Sequence, residues 1–223
     1  MTLLGLDGTE ANMKVAVIGA GNVGGTLGKR WATIGHEIVF GVRNANDAKY
    51  SELLSQCGGN AHLAAVGAAA ASAEIILLAT PWNASEAAVA ACGRLDGKIL
   101  IDATNPLAPD LSLAVGFSDS GGEQVARWAR GARVVKAFNT TVFNIMADPV
   151  LESRPAAMFI AGDDTASKAI VLELAKAIGF DPVDAGPLKM ARQLEPLAVL
   201  WITCAYRQGL GRDYAFALIR KRG

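Results

Sequence analysis

The sequence predicts an α/β protein: a Rossmann-type, doubly wound, mostly parallel sheet with a small C-terminal helical extension. Three observations point there. An apolar β-branched run, Val15 to Ile18, ends in a G-x-G-x-x-G pattern at Gly19, Gly21 and Gly24. Apolar residues then recur at helical spacing, at Val23, Leu27, Trp31 and Ile34. Strand-like and helix-like segments keep alternating to the end of the chain, the pattern that closes a parallel sheet with helices on both faces.

In order, strands are predicted at 15–18, 36–41, 62–66, 74–79, 98–102, 133–137, 157–161 and 180–184. Helices are predicted over 22–34, 46–56, 83–93, 122–130, 164–178 and 189–209. Residues 1–13 read as a flexible extension, 14–186 as the dinucleotide-binding domain, and 187–223 as a helical segment completing a second site and a dimer contact. In the last helix Leu194, Leu197, Ala198, Trp201, Ile202 and Ala205 share one face. Val199, Leu200 and Cys204 make the other face apolar too, so the helix belongs in the core or in a subunit interface.

The first strand, turn and helix form the context that a dinucleotide fingerprint requires. Gly19 permits the tight turn, Gly21 admits a pyrophosphate to the backbone, and Gly24 lets the helix pack close to the strand. Ala20, Asn22 and Val23 complete the loop, and the helix start offers free N–H groups to phosphate. An NAD site usually carries an acid at the end of the second strand. Here Gly41-Val42-Arg43-Asn44 stands there, with no acid before Asp47. Arg43 follows Gly24 by 19 residues, close to the usual spacing of about 20. Its guanidinium fork suits a 2′-phosphate, so NADP(H) is the expected dinucleotide.

Ligands of doubly wound sheets sit beyond the carboxyl ends of the strands. Three loops are therefore candidates: Thr80-Pro81-Trp82, Thr104-Asn105 and Phe138-Asn139-Thr140-Thr141. They put hydroxyl and amide groups where a nicotinamide and its ribose would lie. Trp82 offers an apolar face, although Trp82 and Phe138 are equally readable as core. The Asn and Thr residues are equally readable as turn and cap formers.

Both histidines, His36 and His62, fall at strand starts, at the far end of the sheet. Lys136 lies inside a predicted strand. No acid–base dyad, Ser–His–Asp arrangement or metal-ligand cluster can be placed. Hydride transfer between two redox cofactors needs none, because the cofactors carry the chemistry and the protein supplies orientation.

The chain has 223 residues, 52% of them hydrophobic and only 6% aromatic, and its 21 basic and 21 acidic residues cancel. No basic stripe speaks for nucleic acid, and no apolar run is long enough for a membrane span. Cys57, Cys92 and Cys204 are few and scattered, which suits reduced thiols in the cytoplasm.

Together these residues resemble the NADP oxidoreductases dependent on the deazaflavin coenzyme F-420, and their wider relatives that include the oxidoreductase domain of the STEAP metalloreductases. The resemblance runs from Lys14 onward, through Gly-Ala-Gly-Asn-Val-Gly at 19–24, Gly-His-Glu-Ile-Val at 35–39 and Gly-Val-Arg at 41–43. Thr-Pro-Trp at 80–82, Val-Lys-Ala-Phe-Asn-Thr at 135–140, Gly-Asp-Asp at 162–164 and Asp-Ala-Gly-Pro-Leu at 184–188 continue it, with Arg192, Leu194 and Glu195 beyond. It implies NADP(H) along Gly21–Val23, Arg43 and Thr80–Trp82, and a nicotinamide near Ala137, Phe138 and Asn139. It implies a second ring against Thr140 and the segment containing Pro187, Leu188, Met190 and Arg192, and a homodimer through the C-terminal helices. Val42 stands where those enzymes carry a hydroxyl residue, and Lys189-Met190-Ala191 also departs from their pattern. The second cofactor is left open between F-420, FMN and FAD. A small-metabolite dehydrogenase or imine reductase of the pyrroline-carboxylate reductase type, and a non-catalytic NADP-binding sensor, are the alternatives.

Overall fold

The computed structural model describes residues 12–219 and 221. Most of the expected N-terminal extension, and Arg220 and Arg222, lie outside the described residues. The chain runs β1 (Lys14–Ile18), α1 (Asn22–Thr33), β2 (Glu37–Val42), α2 (Ser51–Ser55), β3 (Ala61–Ala65), α3 (Val66–Ser72), β4 (Ile75–Leu78), α4 (Trp82–Ala91) and β5 (Ile99–Asp102). It continues through α5 (Gly121–Trp128), β6 (Arg133–Lys136), α6 (Phe143–Ala147), the short hairpin β7 (Val150–Leu151) and β8 (Arg154–Pro155), β9 (Ala157–Gly162), α7 (Thr165–Ala177), β10 (Asp181–Gly186) and α8 (Ala191–Tyr206). Among the described residues no helix is long and apolar enough to cross a membrane.

One eight-stranded sheet has the order β10-β9-β6-β5-β4-β1-β2-β3. The strands from β3 across to β6 are parallel to their neighbours. β9 pairs antiparallel with β6, and β10 parallel with β9. The mostly parallel expectation therefore holds, with a reversed pair at one edge. The reason is the connection after β6. A parallel return needs a crossover, usually a helix, of a dozen or more residues. The five-residue α6 and the hairpin do not carry the chain back across the sheet, so β9 sets out from the end where β6 stopped.

Alternation along the strands fills two cores. Val15 and Val17 of β1 join Leu27, Trp31, Ile101, Val135, Val171 and Leu174, on the side of α1 and α7. Ala16 and Ile18 join Ala69, Ile76, Leu78, Val89 and Val125, on the side of α3, α4 and α5. Both faces of the central strands are covered, as a parallel sheet requires. Trp31 reaches across the first layer and donates its Nε1–H to the Leu174 carbonyl at 3.1 Å.

Three segments depart from the expectation. Residues 46–56 form a single turn of 3-10 helix and the short α2 rather than one helix. α3 is a helix where the alanine-rich run gave none. α6 and the β7–β8 hairpin are too short to leave a periodic signal.

A buried charge cluster fastens the sheet to the last helix. Lys136, Asp102 and Glu195 are each 0% exposed. The Lys136 ammonium donates to Asp102 Oδ2 at 2.9 Å and to the Thr104 carbonyl at 2.7 Å, and pairs with Glu195 Oε1 at 2.8 Å. Glu195 also accepts the backbone N–H groups of Gly121 and Gly122, both at 2.9 Å, at the start of α5. Asp102 Oδ1 accepts from the Thr104 N–H and hydroxyl. Every ammonium hydrogen has a partner, which is what makes so deep a charge tolerable. Burial works against the ammonium, but the carboxylates of Asp102 and Glu195 outweigh it and hold the Lys136 pKa above its ordinary value.

Two outcomes follow from this cluster. Lys136→Met leaves two buried carboxylates without their cation and is expected to cost about 3–5 kcal/mol in denaturant unfolding. Because the folded pKa of Lys136 is raised, its contribution is complete below the unfolded value of about 10.4 and is lost as pH climbs through the folded value. Wild-type stability measured from pH 8 upward should therefore fall on the alkaline side, and Lys136→Met should lose that part of the slope.

Candidate functional site

The strand order reverses between β1 and β4, and the loops after these strands touch there. Gly19 has φ 102, and a Cβ on it would lie 2.7 Å from the Ala79 carbonyl oxygen. A Cβ on Gly24 would collide with the Gly19 carbonyl oxygen, so α1 starts directly against the turn. Among the described residues a Cβ on Gly21 would meet nothing within 4 Å. Gly21 is the N-cap of α1, no side chain caps the helix, and no acid stands in its first turn. Free N–H groups and the positive end of the helix dipole thus face open space, the arrangement a pyrophosphate needs.

At the end of β2 the Val42 side chain is buried in the core, and Arg43 and Asn44 are exposed. Asn44 Oδ1 accepts the Asn46 N–H. Asp47 accepts the Lys49 N–H and pairs with its ammonium at 2.9 Å, contacts that lower the Asp47 pKa. Among the described residues no carboxylate pairs with Arg43.

Beside the helix start lies a cleft of about 330 Å³. Val23 of α1, Asn105 after β5, Leu111, Asn139 to Val142 after β6, and Ala198, Trp201, Ile202 and Tyr206 of α8 line it. Two asparagines brace its base. Asn105 Nδ2 donates to the Asn139 carbonyl at 2.8 Å, and Asn139 Nδ2 donates to Asn105 Oδ1 at 3.0 Å and to the Leu194 carbonyl at 3.2 Å. The Leu194 carbonyl can only accept, which fixes the orientation of the Asn139 amide. Among the described residues Asn139 Oδ1 is left buried without a partner, as is Thr141 Oγ1. A buried polar atom without a partner costs about 1–3 kcal/mol. A carboxamide, with donors and an acceptor on one planar group, complements this pair. Uncapped helix, open Gly21 and orphaned amide oxygen together fit a nicotinamide dinucleotide.

The comparisons with known proteins agree. The family model described as NADP oxidoreductase, coenzyme F420-dependent, matches residues 14–106. The F420-dependent NADP reductase of Methanothermobacter thermautotrophicus is 34% identical over 213 residues, 87% of this chain and 90% of that protein. This chain belongs to the coenzyme F420-dependent NADP oxidoreductase family. A solved structure assigned as an F420-dependent NADP reductase, from Arthrobacter sp. FB24, superposes with a TM-score of 0.85 at 35% identity, covering 94% of this chain and all of that one. The rat metalloreductase STEAP3 is 30% identical over 223 residues, but this chain, 93% of which is matched, spans only 44% of its length.

Within this family member, the expected site residues separate into groups. Gly19 to Gly24 form the turn and helix start as anticipated. Asn105, Asn139 and Thr140 meet in the cleft. Thr104 is turned away, its hydroxyl held by Asp102. Ala137 and Phe138 are buried; the Phe138 ring packs edge-on against Trp31 at 5.7 Å and against Phe180 at 6.2 Å. Phe138 has φ 60, uncommon for a bulky residue. This kink allows the Phe138 ring to enter the core while the next residue, Asn139, lines the cleft. Thr80 shares a hydrogen bond with Ser85 at 3.0 Å, and Pro81 is exposed. Trp82 lies against Trp128, ring centroids 5.2 Å apart, on the α4–α5 side of the sheet.

The segment against which the resemblance implies the second ring is packed as follows. Leu188 is buried in the core, and its N–H donates to Asp163. Arg192 forks onto Glu123 at 2.8 and 2.7 Å. Pro187 is exposed and Met190 half-buried. None of these four lines the cleft; its wall comes from further along α8, at Ala198, Trp201, Ile202 and Tyr206. That spacing was legible as an apolar face, but core and cleft walls are both apolar, and spacing alone does not separate them. Leu111 and Val142 left no sequence signal.

Two glycine variants separate scaffold from ligand contact. Gly24→Ala drives a methyl into the Gly19 carbonyl and should lower the melting temperature. Gly21→Ala meets no protein atom, so it should melt like wild type yet bind NADPH at least about tenfold more weakly, a loss of about 1.4 kcal/mol. Thermal melts with and without NADPH read both.

Proposed function

We propose that this protein transfers hydride between NADP(H), held along the Gly19–Gly24 turn and Arg43, and the flat ring of a deazaflavin (F-420) or flavin received in the α8 cleft. The observation that carries this reading is the cleft itself. It opens beside the helix start, it is walled by Val23, Leu111, Val142, Ala198, Trp201 and Ile202, and its polar contacts are amides and hydroxyls with no carboxylate, histidine, lysine or arginine among its lining residues. Lys136, which is not among the cleft's lining residues, is locked between two carboxylates. A metabolite reductase acting on a charged substrate would need a charged partner in the cleft.

NADPH, when bound, would supply a hydride from its nicotinamide ring to the acceptor ring, and the accompanying proton would come from bulk solvent outside the stacked rings. The protein's part is placement. The α1 N–H groups hold the pyrophosphate, the Arg43 guanidinium takes the 2′-phosphate, and Asn139 Oδ1 and Thr141 Oγ1 orient the carboxamide. The apolar wall of α8 stacks the second ring and excludes water. Holding two rings in a near-attack arrangement is worth about 7–11 kcal/mol.

The same reading includes a homodimer and a cytoplasmic location. Leu200 on the outer face of α8 is 52% exposed and Leu210 beyond it 63%, an apolar surface that suits a second copy. The three cysteines are free thiols, and burial pushes the Cys92 pKa up to about 11, so that it is inert in a reducing compartment.

The deciding experiment is anaerobic oxidation of NADPH by the purified protein with F-420, FMN and FAD offered separately. Saturable turnover with one of them is expected; tight NADPH binding without turnover on any would sink the reading. Arg43→Ala should raise the KM for NADPH by about tenfold or more and leave that for NADH nearly unchanged. Equal effects on both dinucleotides would remove Arg43 from the 2′-phosphate.

A further inference from the structure

Trp201 walls the cleft; within α8 the Tyr206 ring meets it edge-on, centroids 6.5 Å apart, and its other contacts of this kind come from outside the helix. The Tyr214 ring stacks on it, centroids 5.1 Å apart and planes 19° from parallel. Trp201 Nε1–H donates to the Tyr214 carbonyl at 3.1 Å, and the Tyr214 hydroxyl donates to the Trp201 carbonyl at 2.7 Å. Two residues thirteen apart are thus joined three times.

The segment that carries Tyr214 is fastened to the surroundings of the cleft on each side. The Arg207 guanidinium donates to the Asp110 carbonyl, next to Leu111. Asn144 Nδ2, two residues past Val142, donates to the Arg212 carbonyl at 3.0 Å and to Asp213 Oδ1 at 2.6 Å. The Phe216 carbonyl accepts the Ala157 N–H at 2.8 Å, at the start of β9. Between these anchors Gly209 and Gly211 turn the chain with φ 76 and 74. Residues 207–216 form a strap that closes the cleft region from α8 round to α6.

We propose that Tyr214 is a positioning residue that fixes the Trp201 ring as the wall for the acceptor, so that the strap governs acceptor affinity and selectivity and leaves the dinucleotide alone. This rests on the hydride-transfer reading above. The physical reason is preorganisation. An indole already held by a stack and its Nε1–H hydrogen bond, with the stacking ring itself tied to the Trp201 backbone carbonyl, loses little further freedom when a flat ring settles against it, whereas a loose one must be ordered at the expense of binding. Ala198, one turn earlier on α8, keeps the space beside the indole open. The dinucleotide contacts, at Gly19–Gly24, Arg43, Asn139 and Thr141, lie on elements other than α8 and the strap.

The test compares wild type, Tyr214→Ala and Tyr214→Phe in steady-state NADPH oxidation, with the acceptor that turns over, and in FMN titration followed by flavin fluorescence. Tyr214→Ala should raise the acceptor KM by about tenfold or more while the NADPH KM stays within about twofold. Tyr214→Phe keeps the stack and the bond from Trp201 Nε1–H, and should stay within about threefold of wild type. An unchanged acceptor KM in Tyr214→Ala overturns the proposal, as does a parallel rise of both KM values with the fall in melting temperature. If the alanine chain does not fold, Tyr214→Leu keeps the apolar bulk without the stacking plane and is read in the same way. A wild type that binds FMN but oxidises NADPH with no acceptor overturns the hydride-transfer reading alone. The FMN titration then still decides the role of Tyr214, by weakened or unchanged binding in the variant. No turnover with F-420, FMN or FAD together with no binding of FMN to the wild type overturns both.

Discussion

The buried Lys136 cation is the constraint on which the rest of the structure depends. It sits at the carboxyl end of β6, where three elements that are remote in sequence must meet. Asp102 brings β5, Glu195 brings α8, and the Thr104 carbonyl brings the loop that continues to Asn105. Glu195 in turn accepts the two N–H groups that open α5, where the helix dipole favours a negative charge. A buried ion set of this kind is tolerable only when fully paired. Its geometry therefore admits one docking of α8 on the sheet.

That docking is also what makes the cleft. Leu194, next to Glu195, offers its carbonyl to Asn139, and Asn139 clasps Asn105. The polar base of the cleft and the ion cluster are thus one continuous network. Four residues on from Leu194, the same helix begins to present Ala198, Trp201, Ile202 and Tyr206 as the apolar wall. One end of α8 is held by charge and the other by the Trp201–Tyr214 pair, so a single helix carries a rigid wall with no charge in it. A wall of that chemistry suits a reaction in which the protein contributes placement and exclusion of water rather than a proton.

The reversed pair β9 and β10 serves the same end of the molecule. Because β9 starts where β6 stops, Ala157 lies close enough to hold Phe216, and Met158 Sδ receives the Phe138 N–H. The left-handed backbone at Phe138 is thereby pinned from both sides, by its ring in the core and by its N–H. Asn139 owes its aim to that pinned kink. Phe138, readable in the sequence as core or as a site aromatic, is the anchor for its polar neighbour.

The sequence by itself determined what local sterics and periodicity decide. The strand–glycine–helix unit of β1 and α1, the alternation that gives a sheet covered on both faces, and the arginine in place of an acid after β2 are all written within a few consecutive residues. Backbone conformation and side-chain spacing settle such features before any distant contact forms. α3 was lost because a run of alanine has no apolar–polar contrast to reveal a period, and α6 because five residues are too few for one. The tertiary structure alone decided the rest: that Lys136 is a structural cation, that Phe138 and Trp82 turn into packing while Asn139 faces the cleft, and that the cleft is walled by Ala198, Trp201, Ile202 and Tyr206. Each depends on residues tens of positions apart, such as Lys136 with Glu195 or Asn139 with Leu194. Neither the strength of a charge pair nor the choice between core and cleft can be read from an apolar stripe until the partner element has been placed.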